Sequence, residues 1–230
     1  MKKLIFSFCA IGMLAFISCQ QKDQWIDLFN GENLDGWEIK GAEESNFFVE
    51  DGILVAETKI GLPNTFLATK KHYSDFELEA EFKVNEGMNT GIQYRSAQWD
   101  KDTTTSYLNG SLEEGMRDWE AGKVHGYQYE IDPSERAWTG GFYEEGNRGW
   151  LVPLTDNEAA RSAYKPEDWN HLRILVDGNH FQTWINGVQA VDIHDDNAST
   201  GFIALQLHGI NREEQVGLRT LWRSVRIKEL

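Results

Sequence analysis

Apolar and polar residues alternate along much of the chain from about residue 25 onward. Between Phe76 and Val84 every second residue is apolar, and the residues between them are three glutamates and a lysine. A period of two places successive side chains on opposite faces of a strand, so this segment predicts a half-buried β-strand. Similar runs occupy residues 91–95, 127–132, 171–176, 181–185, 202–208 and 221–227. Short strands separated by glycine, asparagine and aspartate favour an all-β sandwich of antiparallel sheets.

Turn and helix signals fill the gaps between these runs. Asp51-Gly52 separates two apolar runs and predicts a hairpin, and Asn186-Gly187 predicts a second tight turn. The spacing of a helix capping box occurs at 155–158 and again at 111–114. Both predict short helices in loops, which leaves the fold class all-β.

The first eighteen residues are typical of an export signal. Two lysines precede a short apolar run, and Ser18 stands directly before Cys19 and a polar segment. This order resembles a bacterial lipoprotein signal, so we expect cleavage after residue 18, lipidation of Cys19, a polar tether over 19–24 and one domain over 25–230. The expected location is outside the cytoplasm, facing the periplasm or the cell surface, with membrane contact only through the lipid. An ordinary secretory signal is the alternative.

The charge balance excludes one class of partner. The 230 residues include 22 Lys plus Arg against 37 Asp plus Glu, a formal net charge of −15. Removal of the signal takes two lysines with it and leaves 20 basic against 37 acidic residues, or −17. An acidic surface repels phosphates, so nucleic acid is not an expected partner. The nine tryptophans fit a protein with aromatic platforms for a ring-shaped ligand, although packing in the core is the simpler role for each one.

Three predicted strands carry polar groups on one face that differ from an ordinary solvated surface. In 127–132 the parity places an amide and two carboxyl groups on one face, and 89–95 and 202–208 each add polar groups in the same way. Glutamine, arginine, histidine and paired acids suit a sugar with many hydroxyls. If the strands are neighbours, one floor would collect Arg95, Glu130, Asp132, Gln206 and His208. A plain polar face with Glu130 paired to Arg95 is the alternative.

A second candidate run spans residues 138–150. Its glycines predict a loop, and Tyr143, Arg148 and Trp150 would form one wall of a cleft, with the two aromatic rings able to stack on a sugar. Packing against the rim of the sandwich is the alternative for each aromatic residue.

Metal ligands follow no familiar motif. The six histidines lack zinc-motif spacing, so no metal site is assigned. Two acidic groups, Asp100 with Asp102 and Asp192 with Asp195 and Asp196, supply oxygen ligands that could hold a Ca²⁺ ion, and no cofactor is assigned.

Several motifs together resemble a known family. They are Phe29-Asn30-Gly31, Leu34-Asp35-Gly36-Trp37, Asn89-Thr90-Gly91-Ile92 with Arg95, the acidic strand, Trp169-Asn170, Asn186-Gly187 and Gly201 through His208. In order and spacing the chain resembles the 3-keto-disaccharide hydrolase domain family, formerly a domain of unknown function, within the concanavalin A-like lectin/glucanase superfamily. The resemblance implies a jelly-roll sandwich that acts on glycosides oxidised at C3. The order Gln128-Tyr129-Glu130 departs from the family's Glu-Tyr-Gln, which indicates a divergent subgroup.

A ketone at C3 makes the C2 proton acidic, so a base there can expel the C1 aglycone. The resemblance and the strand parity together assign the catalytic roles to Glu130 or His208 as base, Arg95 as a donor to the enolate, and Asp132 as a support for His208 or a metal. The expected carbohydrate-binding residues are Gln93, Gln128, Gln206, Tyr143, Arg148 and Trp150. Two alternatives stay open. One is a conventional glycosidase that uses Glu130 and Asp132 about 5 Å apart, and the other is a carbohydrate-binding module without turnover.

Overall fold

The computed structural model of the protein describes residues 24–44 and 46–230, and β-strands dominate them. The strands are β1 (Ile26–Asp27), β2 (Trp37–Lys40), β3 (Phe47–Glu50), β4 (Ile53–Glu57), β5 (Thr65–Tyr73), β6 (Phe76–Val84), β7 (Thr90–Gln98), β8 (Thr103–Leu108), β9 (Glu114–Trp119), β10 (Val124–Ile131), β11 (Phe142–Glu145), β12 (Gly149–Val152), β13 (Asn170–Asp177), β14 (His180–Ile185), β15 (Val188–His194), β16 (Gly201–Leu207) and β17 (Arg219–Glu229). One α-helix, α1 (Glu158–Ala163), and a 3-10 helix over Glu213–Gln215 complete the described elements. The predicted signal and Cys19 lie outside the described residues.

The strands form two sheets that pack face to face. One sheet has the order β15-β14-β13-β6-β17-β4-β3 with β1 beside β17, and the other has the order β2-β5-β16-β7-β10-β11-β12-β8-β9. All neighbours are antiparallel except β12 and β8, which are parallel. The predicted jelly-roll sandwich is confirmed. The three strands expected to share a floor, β16, β7 and β10, are adjacent.

The alternation in β6 separates core from surface as predicted. Its five apolar side chains are at most 1% exposed, and they pack in the main core between the sheets. On the opposite face Glu77 pairs with Arg173 of β13, while Glu79 and Glu81 pair with arginines of β17. Burial of the apolar side chains drives the packing of the two sheets against each other, and the paired charged side chains face the solvent.

The local signals have mixed outcomes. Asp51-Gly52 joins β3 to β4, and Asn186-Gly187 joins β14 to β15 with positive φ at both residues, as an Asn-Gly hairpin turn requires. The predicted helix near residue 155 is α1, which is capped by the Asn157 side chain.

The helix predicted at 111–114 is wrong, because the chain turns there and begins β9. The Asn109 side chain accepts hydrogen bonds from the backbone N–H of Ser111 and Glu113 and closes a hairpin turn. The loop predicted over 138–150 is in part a hairpin of β11 and β12. Within the described residues no helix is long and apolar enough to cross a membrane.

Candidate functional site

A small polar cavity lies on the face of the larger sheet that points away from the core. Its volume is about 190 Å³. Its lining comes from five strands and the loops beside them. The lining residues are Asn89, Tyr107, Gly110, Gln128, Glu130, Arg136, Tyr143, Glu145, Trp150, Gln206 and His208.

Strand register explains why these side chains meet. Gln128 of β10 has Gln93 of β7 and Tyr143 of β11 as its cross-strand partners, and Tyr143 is in turn paired with Trp150 of β12. Directly cross-strand residues point to the same face, so they form one row. The next row places Glu130 opposite Gly91. The missing side chain of Gly91 makes room for Gln128, whose Cγ would stand 2.8 Å from a Cβ at position 91.

A chain of amides points its donors at the Glu130 carboxylate. Ser96 Oγ donates to Gln93 Oε1 at 3.0 Å, and Gln93 Nε2 donates to Gln128 Oε1. Gln128 Nε2 then donates to Glu130 Oε2 at 2.5 Å, and Asn89 Nδ2 donates to Glu130 Oε1 at 2.6 Å. Both carboxylate oxygens are therefore held in place.

Burial dominates the ionisation of Glu130. The residue is 5% exposed, and its desolvation raises the pKa of Glu130 to about 7. The hydrogen bonds from Asn89 and Gln128 lower that pKa, while the nearby charges of Asp132 and Glu145 raise it. A carboxyl group with a pKa near neutrality is suited to proton transfer at physiological pH.

Gln206 offers an unused acceptor to the cavity. Its side chain is 1% exposed, and no described residue donates a hydrogen bond to its Oε1 atom. A buried polar atom without a partner costs free energy. A hydroxyl donor on a bound ligand would satisfy it.

The ring of His208 leaves the lone pair of Nε2 available to a ligand. Its Nδ1 lies 2.7 Å from the carbonyl oxygen of Gly209, which can only accept a hydrogen bond. Nδ1 therefore carries the proton of the neutral ring, and Nε2 is available to exchange a proton with a ligand.

Aromatic side chains form the opposite wall. Tyr143 and Trp150 pack edge to face, and the hydroxyls of Tyr143 and Tyr107 are 2.9 Å apart. One of these hydroxyls donates to the other, which leaves one hydrogen for a ligand oxygen. Burial raises the pKa of Tyr143, so its hydroxyl stays protonated.

Asp132 acts one step away from the cavity. Its carboxylate accepts from the Ser134 N–H and pairs with Arg136, whose guanidinium lines the cavity and lies over the Trp138 ring. The expected support of His208 by Asp132 is replaced by this support of Arg136.

No described cluster of three or more histidine, cysteine, aspartate or glutamate side chains has the geometry of a metal site. In the acidic group considered for Ca²⁺, Asp192 contacts His180 and Gln182, while Asp195 pairs with Arg148.

Comparison with known proteins assigns the family. Residues 24–228 match the 3-keto-alpha-glucoside-1,2-lyase-like domain family. The chain belongs to this family. No curated relative matches the sequence. The membership points to a glycoside-acting hydrolase or a carbohydrate-binding protein, as the sequence motifs predicted.

Solved structures support the fold. One protein of Parabacteroides distasonis ATCC 8503, named a putative glycosyl hydrolase, superposes with a TM-score of 0.59 at 18% identity, covering 90% of this chain and 94% of its own. A second protein of that organism and name gives 0.54 at 19% identity, with coverage of 90% and 100%. A Bacillus subtilis protein of unknown function with a galectin-like fold gives 0.57 at 11% identity, with coverage of 90% and 94%. At these identities the likeness shows the sandwich fold alone.

Most of the predicted site residues meet at the cavity of this 3-keto-alpha-glucoside-1,2-lyase-like domain. Gln128, Glu130, Gln206, His208, Tyr143 and Trp150 line it. Gln93 lies one hydrogen bond behind Gln128, and Asp132 lies behind Arg136.

Arg95 lies elsewhere, which corrects the expected convergence with Glu130. It occupies a bulge with φ of 45°, where the register of β7 with β10 shifts. The extra residue turns its side chain toward the core, where it pairs with Asp75 and lies over the Phe181 ring. Ser96 takes its place on the cavity face.

Arg148 also lies outside the cavity. It pairs with Glu144, which points to the opposite face of β11 from Tyr143, and with Asp195. The Tyr127 hydroxyl donates to the same Asp195 carboxylate. This buried cluster ties β10 and β11 to the loop after β15 and is structural.

Four of the side chains that line the cavity were not predicted as site residues from the sequence, and the glycine at position 110 was not predicted either. Strand parity places Asn89 on the polar face, but it does not indicate that the Asn89 amide donates to Glu130. Tyr107 and Glu145 lie on strands that were not predicted, although the threonines before Tyr107 are typical of a strand. Arg136 follows the acidic strand in a loop, and no local signal marks it.

Proposed function

We propose that this protein cleaves glycosides whose sugar ring carries a ketone at C3, by removing the C2 proton and expelling the C1 aglycone. One observation carries the proposal: a buried carboxyl group with a pKa of about 7, Glu130, shares a small polar cavity with the free Nε2 of His208. The family description names the same class of reaction.

The chemistry needs a base, donors for the enolate and a proton for the leaving group. The base breaks the C2–H bond and takes the proton, and the electron pair moves to form an enolate with its charge on the C3 oxygen. The returning pair then forms the C1=C2 bond as the C1–O bond breaks, and the aglycone leaves with a proton from an acid. Addition of water to the enone would complete a hydrolysis.

The residues fit these roles. Glu130 is the base, and its two amide donors fix the carboxylate toward the cavity. The free hydroxyl hydrogen of the Tyr107 and Tyr143 pair and the Arg136 guanidinium supply positive potential for the enolate oxygen. His208 keeps one proton on Nδ1, so it first binds a second proton at Nε2 and then delivers that proton to the departing oxygen. Gln206 Oε1 accepts from a ring hydroxyl.

The test compares a chromogenic glucoside with its 3-keto derivative, each as the α- and β-anomer. We expect release only from the 3-keto substrates, and a loss of at least about 100-fold in kcat/KM for both Glu130→Gln and His208→Ala. Glu114→Gln and His194→Ala change exposed residues outside the cavity and serve as matched controls. Full turnover in both cavity variants would contradict the proposal.

A second candidate function rests on Glu145, which lines the same cavity as Glu130. Two carboxyl groups across one cavity suit a conventional glycosidase. That function predicts release from the unoxidised glucoside and its loss in Glu145→Gln. A saturable binding curve without turnover of any substrate would instead identify a carbohydrate-binding module.

The lipid anchor at Cys19 stays a prediction. A Cys19→Ser variant expressed in a bacterium should lose incorporation of labelled fatty acid and leave the membrane fraction. Unchanged membrane association of this variant would favour another mode of attachment.

A further inference from the structure

We propose that a second, larger cavity beside the candidate site binds an apolar aglycone, so that the substrates are glycosides with a bulky apolar leaving group. This inference rests on the proposed function. The cavity has a volume of about 520 Å³, and segments 62–64, 87–89 and 208–212 form it together with Gln215 and Leu218. The smaller cavity of about 190 Å³ holds the groups assigned to the sugar.

The two cavities are neighbours that share two lining residues. Asn89 and His208 line both of them. Asn89 donates to the base Glu130, and His208 is assigned to the departing oxygen. The bond that breaks would therefore lie at the boundary between the cavities, with the sugar on one side and the aglycone on the other.

Three polar side chains that line the larger cavity, those of Gln215, Arg212 and Asn64, are already paired, whereas Asn211 is exposed. Gln215 accepts from Arg212 and donates to the Gly87 carbonyl, and Arg212 also pairs with Glu214. Asn64 accepts from the Gly209 N–H and donates to Glu145. These groups have little hydrogen-bonding capacity left for the hydroxyls of a second sugar.

Apart from the three paired side chains, Asn89, His208 and the exposed Asn211, the side chains of the lining are apolar. They are Leu62, Pro63, Met88, Ile210 and Leu218. Burial of an apolar group against such a wall is favourable by about 25 cal/mol per Å². The smaller cavity shows the opposite character, because the unpartnered Gln206 oxygen requires a hydroxyl donor. The contrast assigns the sugar and the aglycone to different cavities.

The apolar wall is built into the fold rather than left to a loose loop. Ile60 and Ile210 form a parallel bridge, and Gly209 packs so closely that a Cβ there would stand 2.6 Å from the Leu62 carbonyl oxygen. The two segments that carry Leu62 and Ile210 are thus held together before a ligand arrives.

The test uses two 3-keto glucosides with leaving alcohols of similar acidity, ethyl and 2-phenylethyl. We expect kcat/KM for the 2-phenylethyl compound to exceed that for the ethyl compound at least tenfold, mainly through KM. Leu62→Asn should reduce this ratio below about threefold, because kcat/KM falls more for the 2-phenylethyl substrate than for the ethyl substrate. Val216→Asn alters an exposed residue of the neighbouring segment and is the matched control.

Equal rates for the two substrates, or a ratio that Leu62→Asn leaves intact, would overturn the inference. So would a preference for a 3-keto disaccharide over the 2-phenylethyl compound. If neither substrate reacts, calorimetric binding of the unoxidised ethyl and 2-phenylethyl glucosides decides the matter separately from the reaction. Tighter binding of the phenylethyl compound that Leu62→Asn abolishes supports the subsite, and equal binding rejects it.

Discussion

At the scale of single residues, Glu130 occupies a buried position that disfavours the ionised form of its carboxyl group. Burial raises its pKa to about 7, and the amide chain through Gln93 and Gln128 limits that rise. An exposed carboxylate would cost the fold less but would be a weaker base at neutral pH. The buried position therefore lowers the stability of the fold at neutral pH and raises the proton affinity of the carboxylate.

The raised pKa has a consequence for stability. The folded protein binds one more proton than the unfolded chain between about pH 4.5 and about pH 7, so the contribution of Glu130 to the free energy of unfolding falls as the pH rises through this window. Glu130→Gln removes this dependence. The free energy of unfolding of the variant, relative to the parent, should rise by about 3 kcal/mol from pH 5 to pH 8.

Urea denaturation at the two pH values measures this difference. Glu114→Gln, at an exposed position, should show no comparable change. A difference between Glu130→Gln and the parent that is the same at both pH values would mean that Glu130 titrates near its ordinary pKa.

The same titration should appear in catalysis. If ionised Glu130 is the base, kcat/KM increases with pH through an acidic limb whose midpoint lies at about 7. The measurement is a pH profile of kcat/KM on the 3-keto substrate. An acidic limb with its midpoint near 4.5 would exclude Glu130 as the titrating base.

The absence of a side chain at Gly91 leaves the space that the Gln128 side chain occupies in the amide chain. In Gly91→Ala the new Cβ would stand 2.8 Å from Gln128, so Gln128 has to move away from Glu130. We expect a loss of about 1 to 3 kcal/mol in stability and a shift of the acidic limb to higher pH, because a hydrogen bond that lowers the pKa of Glu130 is lost.

The control for this change is Gly115→Ala, since a Cβ at position 115 meets nothing within 4 Å. Both variants need only chemical denaturation and a pH profile. An unshifted limb in Gly91→Ala would show that Gln128 does not tune Glu130.

At the scale of elements, the hairpin of β8 and β9 closes one side of the cavity. It brings Tyr107 to Tyr143, and it joins the sheet through Gly149 of β12, opposite Leu108. The capping-box spacing at 111–114 predicts a helix for this segment. The hairpin forms because Asn109 satisfies the turn and the docked strands bury Trp119.

Gly149→Ala tests the docking of this hairpin. Gly149 has φ of 78°, and a Cβ there would stand 2.2 Å from the Leu108 carbonyl oxygen. We expect faster amide hydrogen exchange at 103–119, little change in β6 and β13, and a loss of about tenfold in kcat/KM. Gly122→Ala is the control, because Gly122 also has a positive φ but a Cβ there meets nothing within 4 Å. A smaller effect in Gly122→Ala would show that displacement of the hairpin, and not backbone strain alone, causes the change.

At the scale of the whole molecule, the net charge of −15 should decide which polymers bind. Many arginines of the smaller sheet are already paired with glutamates, as at Glu77, Glu79 and Glu81. We expect no retention on heparin or duplex DNA at 50 mM salt. Salt-sensitive retention would show a basic surface that the charge balance does not predict.

The sequence by itself determined the alternation of core and surface, two hairpin turns, and the shared face of Gln128 and Glu130. These follow from the period of two within one strand and from turn chemistry, which depend on neighbouring residues only. The sequence does not specify that β16, β7 and β10 are adjacent, because strand pairing joins residues far apart in the chain.

Only the tertiary structure decided the rest. The bulge at Arg95 reverses the parity of β7, and it arises from the register with β10 and β16, not from the residues of β7 alone. The depth of Glu130, the unsatisfied oxygen of Gln206 and the wall supplied by Tyr107 depend on which distant segments exclude water. Solvation is a property of the assembled surface, and for that reason a local sequence pattern cannot specify the chemistry of this cavity.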